Sequence, residues 1–233
     1  MNIHVERRRL MDIIEAIKSR HSVRAFKPQP VPQIVLKEIL SVSTRAPSWA
    51  NTQTWEFAVV GGEVMQELSK KLADRALAQD ERIPDVPRPE WPSPYRERRN
   101  ENGGRLYELM GIKRDDIEAQ LYWFINMYRF FGAPNAIFIC IDRNLSSWAM
   151  LNIGLVTQTI CLAALAYGLG TVILAAGVSY PDTVRSILKI PDNKQIIIAL
   201  AIGYPDEKAI VNSFRSNRVP LDEICTWHGF NIQ

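Results

Sequence analysis

The sequence has few of the residues that metal-bound or disulfide-bonded proteins need. Its 233 residues include three cysteines and three histidines, and Cys140, Cys161 and Cys225 lie far apart without a Cys-x-x-Cys pair. Because zinc sites and disulfide frameworks show closely spaced ligands, we expect no metal site and no disulfides, and a reducing cytoplasm fits. A chain of this length buries about 70–75% of its unfolded surface and folds without such crosslinks.

Strong charge and long apolar runs are also missing. The formal net charge is only +3, which argues against a nucleic-acid partner because electrostatic binding of nucleic acid needs a strongly basic face. The longest apolar stretch, residues 151–169, is interrupted by Asn152, Thr157 and Gln158. It predicts a buried central helix and no membrane span. The residues after Arg7–Arg9 include Asp12 and Glu15, so they do not form the apolar core of a secretion signal.

Helical periodicity and short apolar runs alternate along the chain, which predicts an α/β or α+β protein in one domain, residues 1–233. Helices are predicted at 12–19, around 35–40, at 65–79, from 115 onward and at 151–167; strands are predicted at 56–60, 136–141, 171–175 and 196–202. Five prolines mark residues 83–104 as an excursion over the surface, which we expect Trp91 and Tyr95 to anchor.

Two arginine-containing segments have the chemistry to hold a phosphate. The first, Arg20-His21-Ser22-Val23-Arg24, follows a predicted helix, and the second, residues 212–222, contains Arg215 and Arg218. Guanidinium groups and a serine hydroxyl donate hydrogen bonds that suit phosphate oxygens. Taken alone, residues 20–24 are more typical of a solvated helix end, where positive charge suits the helix dipole, and Arg215 and Arg218 are also compatible with a plain surface.

Two further segments are suited to a flat heterocyclic ligand. The loop at residues 46–57 combines Ser48, Asn51 and Gln53, whose polar groups can read a ring edge, with Trp49 and with Trp55, for which a core position is also credible. Small residues follow the predicted strand at Leu174-Ala175-Ala176-Gly177. They let backbone N–H groups approach a ligand closely, although tight packing explains them equally well.

The order and separation of these segments resemble the FMN-dependent nitroreductase family from about residue 11 to residue 230. The resemblance is carried by the sequences R-H-S-V-R at 20–24, A-P-S-W-A-N-T-Q-T-W-E-F at 46–57, G-L-G-T at 168–171, I-G-Y-P followed by Asn212, and R-V-P-L-D at 218–222. The stretches at 107–116 and 130–134 resemble a branch that reduces nitroaromatics. Thr54 replaces the usual proline, and Trp49 stands where a small residue is common.

The resemblance implies an α+β fold, with a central, mostly antiparallel sheet flanked by helices, in an intertwined homodimer with two FMN sites at its interface. Arg20, His21, Ser22, Val23 and Arg24 then bind the FMN phosphate and ribityl chain, together with Arg218, and Arg215 is a further candidate for the phosphate. Pro47, Ser48, Trp49 and Asn51 reach the flavin from the partner subunit. Leu174 and Ala175 border the flavin, and the backbone N–H groups of Ala176 and Gly177 face its N5 and O4 atoms.

The implied activity is oxidation of NADH or NADPH and reduction of a nitroaromatic or quinone-type acceptor, by ping-pong hydride transfer through flavin N5. The sequence Gly168-Leu169-Gly170 lacks a third glycine and closes a predicted helix, so no Rossmann dinucleotide site is expected. Two alternatives stay open. Relatives of this fold also catalyse reductive dehalogenation or flavin cleavage, and a flavin-binding protein without turnover has the same motifs.

Overall fold

A four-stranded antiparallel sheet forms the centre of the computed structural model, which describes residues 11–230. The strands are β1 (Glu56–Gly61), β2 (Asn135–Asp142), β3 (Gly170–Leu174) and β4 (Lys194–Gly203), in the order β1-β2-β4-β3. Each coincides with a predicted strand, and every pairing is antiparallel. The prediction of a mostly antiparallel sheet is therefore confirmed.

Both faces of the sheet are covered by helices, and this explains the near-continuous apolar runs in its strands. Along β2, Ala136, Phe138 and Cys140 belong to one hydrophobic cluster, whereas Ile137 and Ile139 belong to another. Successive side chains of a strand point to opposite faces, so each cluster lies on one side of the sheet.

Seven helices surround the sheet in the described part of the chain. They are α1 (Ile13–Ser19), α2 (Gln33–Ser43), α3 (Gly62–Leu77), α4 (Tyr95–Leu109), α5 (Ile117–Tyr128), α6 (Ala149–Leu165) and α7 (Pro181–Leu188). Helices α2 and α6 contribute to the cluster on one face, and α3, α5 and α7 to the cluster on the other.

The helix boundaries follow local rules. The Asp12 carboxylate accepts hydrogen bonds from the N–H groups of Ile14 and Glu15 at 2.9 and 3.2 Å, and Asp116 caps α5 in the same way. Pro181 occupies the first turn of α7, where its missing N–H leaves no acceptor unpaired. After α6, Gly168 has a φ of +67°, which suits glycine and turns the chain toward β3.

The segment at 83–104 differs from its prediction. Its second half is helical, because α4 begins at Tyr95 immediately after the last of the five prolines. Trp91 and Tyr95 are 48% and 53% exposed and lie 6.5 Å apart between ring centroids, so the prediction that they anchor the segment is wrong. Helix α7 was not predicted.

Asp85 and Arg88 attach this segment to the rest of the fold instead. The Asp85 side chain, 8% exposed, accepts from the Ile196 N–H at 2.8 Å and pairs with Arg185 and, at 3.4 Å, with Arg143. Arg88 donates to Ser179 Oγ at 3.0 Å. A buried carboxylate with three partners is a stronger attachment than an exposed aromatic pair.

The apolar side chains of α1 are not covered within the described chain. Ile13, Ile14 and Ile17 are 60%, 53% and 51% exposed, and Ala16 is the buried residue of the helix. Exposed apolar residues on one helix typically mark a contact surface. Within residues 11–230, none of the helices has both the length and the apolar character that crossing a membrane requires.

Candidate flavin site

The segment Arg20–Arg24 leaves the end of α1 and runs beside the edge strand β3. The Val23 N–H donates to the Thr171 carbonyl at 3.0 Å, and Ser22 forms a parallel bridge with Thr171. The Val23 side chain is 2% exposed and packs on Gly170, where any Cβ would collide with it. Val23 therefore fixes the segment against the sheet, and its polar neighbours line a cavity.

Asn212 joins this segment to the second arginine-containing one. Its Oδ1 accepts from the Arg24 N–H at 2.7 Å, and its Nδ2 donates to the carbonyls of Ala25 and Asp206 at 2.8 and 2.9 Å. The side chain is 8% exposed, so these bonds are sheltered from water. Asn212 thus brings residues 212–218 to residues 20–24, which the sequence placed in two separate elements.

The two segments enclose a cavity of about 580 Å³ with basic walls. The residues that line it are Ile17, Lys18, Arg20, His21, Ser22, Arg24, Asn102, Phe214, Arg215, Ser216 and Arg218. This described lining contains four arginines and a lysine but no carboxylate. The cavity is therefore suited to an anion with several oxygen acceptors.

The electrostatics of His21 reflect this concentration of positive charge. Burial lowers its pKa; a hydrogen bond between Nδ1 and the Ser19 carbonyl, 2.9 Å long, opposes the shift, and the charges of Arg215, Arg20 and Arg24 lower the pKa further. A neutral imidazole with Nδ1 donating to Ser19 leaves Nε2 as an acceptor. Burial also lowers the pKa of Arg24, whose Nη1 donates to the Ser22 carbonyl at 3.3 Å.

Two side chains of α4 bring unpaired polar atoms to the same region. Asn102 Oδ1 and Arg105 Nη1 are buried and have no hydrogen-bond partner among the described residues. Asn102 lines the basic cavity, and both residues line an adjoining cavity of about 280 Å³. Neither residue was predicted as a site residue, because the prolines before α4 and the Gly103-Gly104 pair within it lower the helix propensity of this segment.

A third cavity, also of about 280 Å³ but more apolar, lies along the end of β3. It is lined by residues 172–176, by Arg24 and Arg88, and by side chains that are mostly aromatic: Leu106, Trp123, Phe124, Met127, Tyr128 and Phe131. Arg24 lines both cavities, so the basic cavity and the aromatic one are neighbours.

A short turn follows β3 beside this aromatic cavity. Ala176 and Gly177 begin a 3₁₀ turn, Ala176–Val178, and the first N–H groups of such a turn have no acceptor within it. A Cβ on Gly177 would lie 2.9 Å from Ala199 Cβ and 3.0 Å from Phe130 Cε1. Glycine is thus needed at 177 for packing, the alternative that the sequence left open.

In the described chain, the Pro47–Asn51 loop lies outside the basic cavity and outside the aromatic cavity. Trp49 lines a separate groove of about 500 Å³ and is 69% exposed. Most other residues of the loop are also exposed. Ser48 Oγ accepts from the Gln53 N–H at 3.0 Å, and Gln53 Nε2 donates to Asn51 Oδ1 at 3.2 Å. Trp55 is 7% exposed and belongs to the core.

The structure thus brings together three of the four predicted elements. Arg20, His21, Ser22, Arg24, Arg215 and Arg218 share one cavity, and Leu174, Ala175 and Ala176 line its neighbour. Phe214 and Ser216 also line the basic cavity, although the sequence did not single them out. The described residues contain no group of three or more His, Cys, Asp or Glu side chains arranged to hold a metal ion.

A basic cavity beside an aromatic one, on an α+β fold with an antiparallel sheet, defines the class of protein. The model of the Nitroreductase family matches residues 17–204, and the chain belongs to that family. It is 33% identical to the nitroreductase NfnB of Mycolicibacterium smegmatis over 89% of this chain and 88% of that protein. It is also 33% identical to a 4-nitrobenzoate reductase of Pseudomonas putida, over 94% of this chain and 97% of that one.

Solved structures agree with these relatives. The FMN and NADPH-dependent nitroreductase NfnB from Sphigopyxis sp. strain HMH superposes with a TM-score of 0.91 and 34% identity, covering 94% of this chain and all of that one. The M. smegmatis NfnB structure in complex with NADPH gives a TM-score of 0.87 at 31% identity, covering 93% and 100% of the two chains.

Proposed function

We propose that the protein is an FMN-dependent NAD(P)H oxidoreductase that reduces nitroaromatic or quinone-type acceptors. The observation that carries this proposal is the position of Arg24 between a basic cavity without carboxylates and an aromatic cavity. A ligand that spans both has an anionic end and a flat apolar end. The names of the relatives, which include nitroreductases and 4-nitrobenzoate reductases, support the same acceptors.

The residues present fit FMN. Arg20, Arg215 and Arg218 supply forked donors for a single terminal phosphate. Asn102, whose side chain lines the same cavity, would offer its amide group to the hydroxyls of the ribityl chain. Trp123, Phe124 and their neighbours supply an apolar surface for the ring system.

FMN, when bound, supplies the electron-transfer chemistry, and the protein supplies position and electrostatics. The N–H groups of Ala176 and Gly177, the first two of the 3₁₀ turn, would serve as backbone donors to the edge of the flavin ring. No side-chain acid is required.

The proposal includes a homodimer in which Pro47–Asn51 of one subunit completes the flavin site of the other. The exposure of this loop and of Ile13, Ile14 and Ile17 supports it, since a dimer would cover such surfaces. The proposal also treats the chain as one domain, supported by core clusters on both faces of a single sheet. A cytoplasmic location is supported by three free cysteines, which suit a reducing compartment.

Reconstitution with FMN tests the proposal. We expect about one FMN per chain, rapid anaerobic bleaching of the flavin by NADPH or NADH, and turnover with nitroaromatics. Release of FAD, or no retained flavin, would contradict the cofactor. A flavin that NAD(P)H does not bleach would indicate a non-catalytic binding protein, and slow bleaching with turnover of halogenated acceptors would indicate a specialised reductase.

Two arginine variants test the cavity. Since a charge-assisted hydrogen bond contributes roughly 1.5–3 kcal/mol, Arg20→Ala or Arg218→Ala should weaken FMN binding by about 10- to 150-fold, measured by flavin fluorescence titration. Arg114→Ala, at an exposed position between α4 and α5, is the control and should bind FMN normally. Unchanged affinity in both cavity variants would remove these arginines from the site.

The order of binding gives a kinetic test of the same mechanism. If nicotinamide and acceptor occupy one face of the flavin in turn, initial-rate plots at several acceptor concentrations should be parallel. Intersecting plots would contradict the shared face.

A further inference from the structure

Asn152 is a buried amide in an otherwise apolar helix. It lies in the first turn of α6 and is 2% exposed, with Ile153 and Val156 buried beside it. A buried amide is costly unless its donors and acceptor are paired. Among residues 11–230, the hydrogen-bond partners of the Asn152 side chain all belong to one segment, the loop Ser48–Thr54, which is about 100 residues away in the sequence.

The geometry of these bonds fixes the orientation of the amide. Asn152 Oδ1 accepts from the Trp49 N–H at 3.1 Å, and Nδ2 donates to Thr54 Oγ1 at 3.2 Å, with a longer contact of 3.5 Å to Thr52 Oγ1. A backbone N–H can only donate, so the oxygen must face Trp49 and the NH₂ group must face the threonines. Among the described residues, Asn152 supplies the hydrogen bonds that tie this loop to another element.

The loop needs such a support because its backbone is unusual. Ala50, Asn51 and Gln53 have φ angles of 48°, 58° and 46°, in the left-handed region that disfavours residues other than glycine. Conformations of this kind persist when the surroundings hold them in place. The loop's remaining hydrogen bonds are internal, such as those from the N–H groups of Asn51 to the Ser48 carbonyl and of Thr52 to the Trp49 carbonyl, both 3.0 Å long.

We infer that Asn152 is a positioning residue, which holds the Ser48–Thr54 loop in the conformation that presents Trp49 and Asn51 to the flavin. The inference rests on the proposed function, in which this loop completes the flavin site of the partner subunit. Asn152 lines a groove together with Trp49, Thr52 and Thr54, and in this inference it acts on flavin binding through the loop. Within the loop, Thr54 is the partner of Asn152, because its hydroxyl accepts a hydrogen bond from the amide NH₂ group.

Four variants test this inference. Asn152→Ala removes the contacts of the amide with Trp49, Thr52 and Thr54. Asn152→Asp keeps an acceptor for the Trp49 N–H, and Thr54→Val removes only the threonine hydroxyl. Thr157→Val is the matched control, since Thr157 is another buried polar residue of α6 and its Oγ1 has no partner among the described residues.

The first measurement is amide hydrogen exchange of residues 48–54 in the FMN-free protein. We expect Asn152→Ala to speed exchange of the Trp49 amide about tenfold or more, Asn152→Asp to retain most of its protection, and Thr157→Val to leave it unchanged. Exchange in β2 reports global unfolding and should stay within about threefold of wild type.

The second measurement is FMN affinity, followed by steady-state kinetics with the holoenzyme. Asn152→Ala should weaken FMN binding about tenfold, Thr54→Val by less, and the double variant no more than Asn152→Ala, because the two residues share one bond. Loop exchange in Asn152→Ala equal to that in Thr157→Val overturns the inference, and so does faster exchange with unaltered FMN affinity. A wild-type protein that binds no FMN overturns the proposed function instead, and exchange still decides whether Asn152 holds the loop.

Discussion

At the scale of single residues, Asn102 carries an unpaired, buried amide oxygen at the basic cavity. Asn102→Asp would add a carboxylate to the cationic cavity in which we propose that the FMN phosphate binds. We therefore expect FMN affinity to fall about 100-fold by charge repulsion. Asn102→Ala would remove one hydrogen-bonding group and should weaken binding by up to about tenfold. Asn100→Asp makes the same change at an exposed position of α4 and should have little effect in a fluorescence titration. Wild-type affinity in Asn102→Asp would exclude Asn102 from the site.

The Cys140 thiol gives a prediction about pH. Burial, the largest cause, raises its pKa to about 11, and the charge of Glu56 adds to the effect. Because the folded protein keeps this thiol protonated above the pH at which the unfolded chain loses the proton, its contribution to stability is complete below about pH 8.5 and falls as the pH rises toward 11. The free energy of unfolding should therefore decrease less between pH 8.5 and 11 in Cys140→Ala than in wild type, as measured by denaturant titration. Parallel pH profiles would contradict the buried thiol.

At the scale of elements, Asp85 fixes the loop that precedes α4. Asp85→Ala would leave Arg185, whose side chain is 14% exposed, without its carboxylate partner, so we expect the free energy of unfolding to fall by about 3 kcal/mol. Asp74→Ala is the control. Its pair with Lys70 is exposed on the surface of α3, and its loss should cost less than about 1 kcal/mol. Equal losses in urea titrations would show that Asp85 is no anchor.

The boundaries of the elements show which signals are local. Strands β1 to β4 were predictable within about two residues, because apolar runs bounded by polar or glycine residues are themselves the signal. Helix α4 was not, since its prolines and glycines lower local helix propensity while its contacts come from elsewhere in the fold. The prediction that Trp91 and Tyr95 anchor their segment failed for a similar reason. The identity of an aromatic residue does not determine whether other residues cover its side chain.

At the scale of the whole molecule, the proposed dimer predicts complementation between defective subunits. Arg20→Ala impairs the phosphate end of a site, and Asn51→Ala impairs the loop that the partner contributes. After subunit exchange, each heterodimer should contain one doubly impaired site and one intact site, so flavin titration should recover tight binding at half of the heterodimer sites. Absence of recovery, with exchange verified by mass spectrometry, would place both elements of a site on one chain.

The sequence by itself determined the four strands, the helices with clear apolar periodicity and the family. Apolar periodicity depends on neighbours within a few positions, and each motif is a short run of residues, so both can be read without coordinates. The cationic character of residues 20–24 and 215–218 was also visible, because it lies in the chemistry of the guanidinium group, and phosphate binding by them stays a prediction.

Only the tertiary structure decided how these parts meet. Asn212 bonds to Arg24 across 188 positions, and Asn152 bonds to Thr54 across 98. The need for glycine at 177 comes from Phe130 and Ala199, and Asn102 matters because its side chain lines a cavity. Contacts of this kind depend on the path of the whole chain. The identity of an amide or a small residue does not determine whether it packs in the core, positions a loop or lines a ligand site.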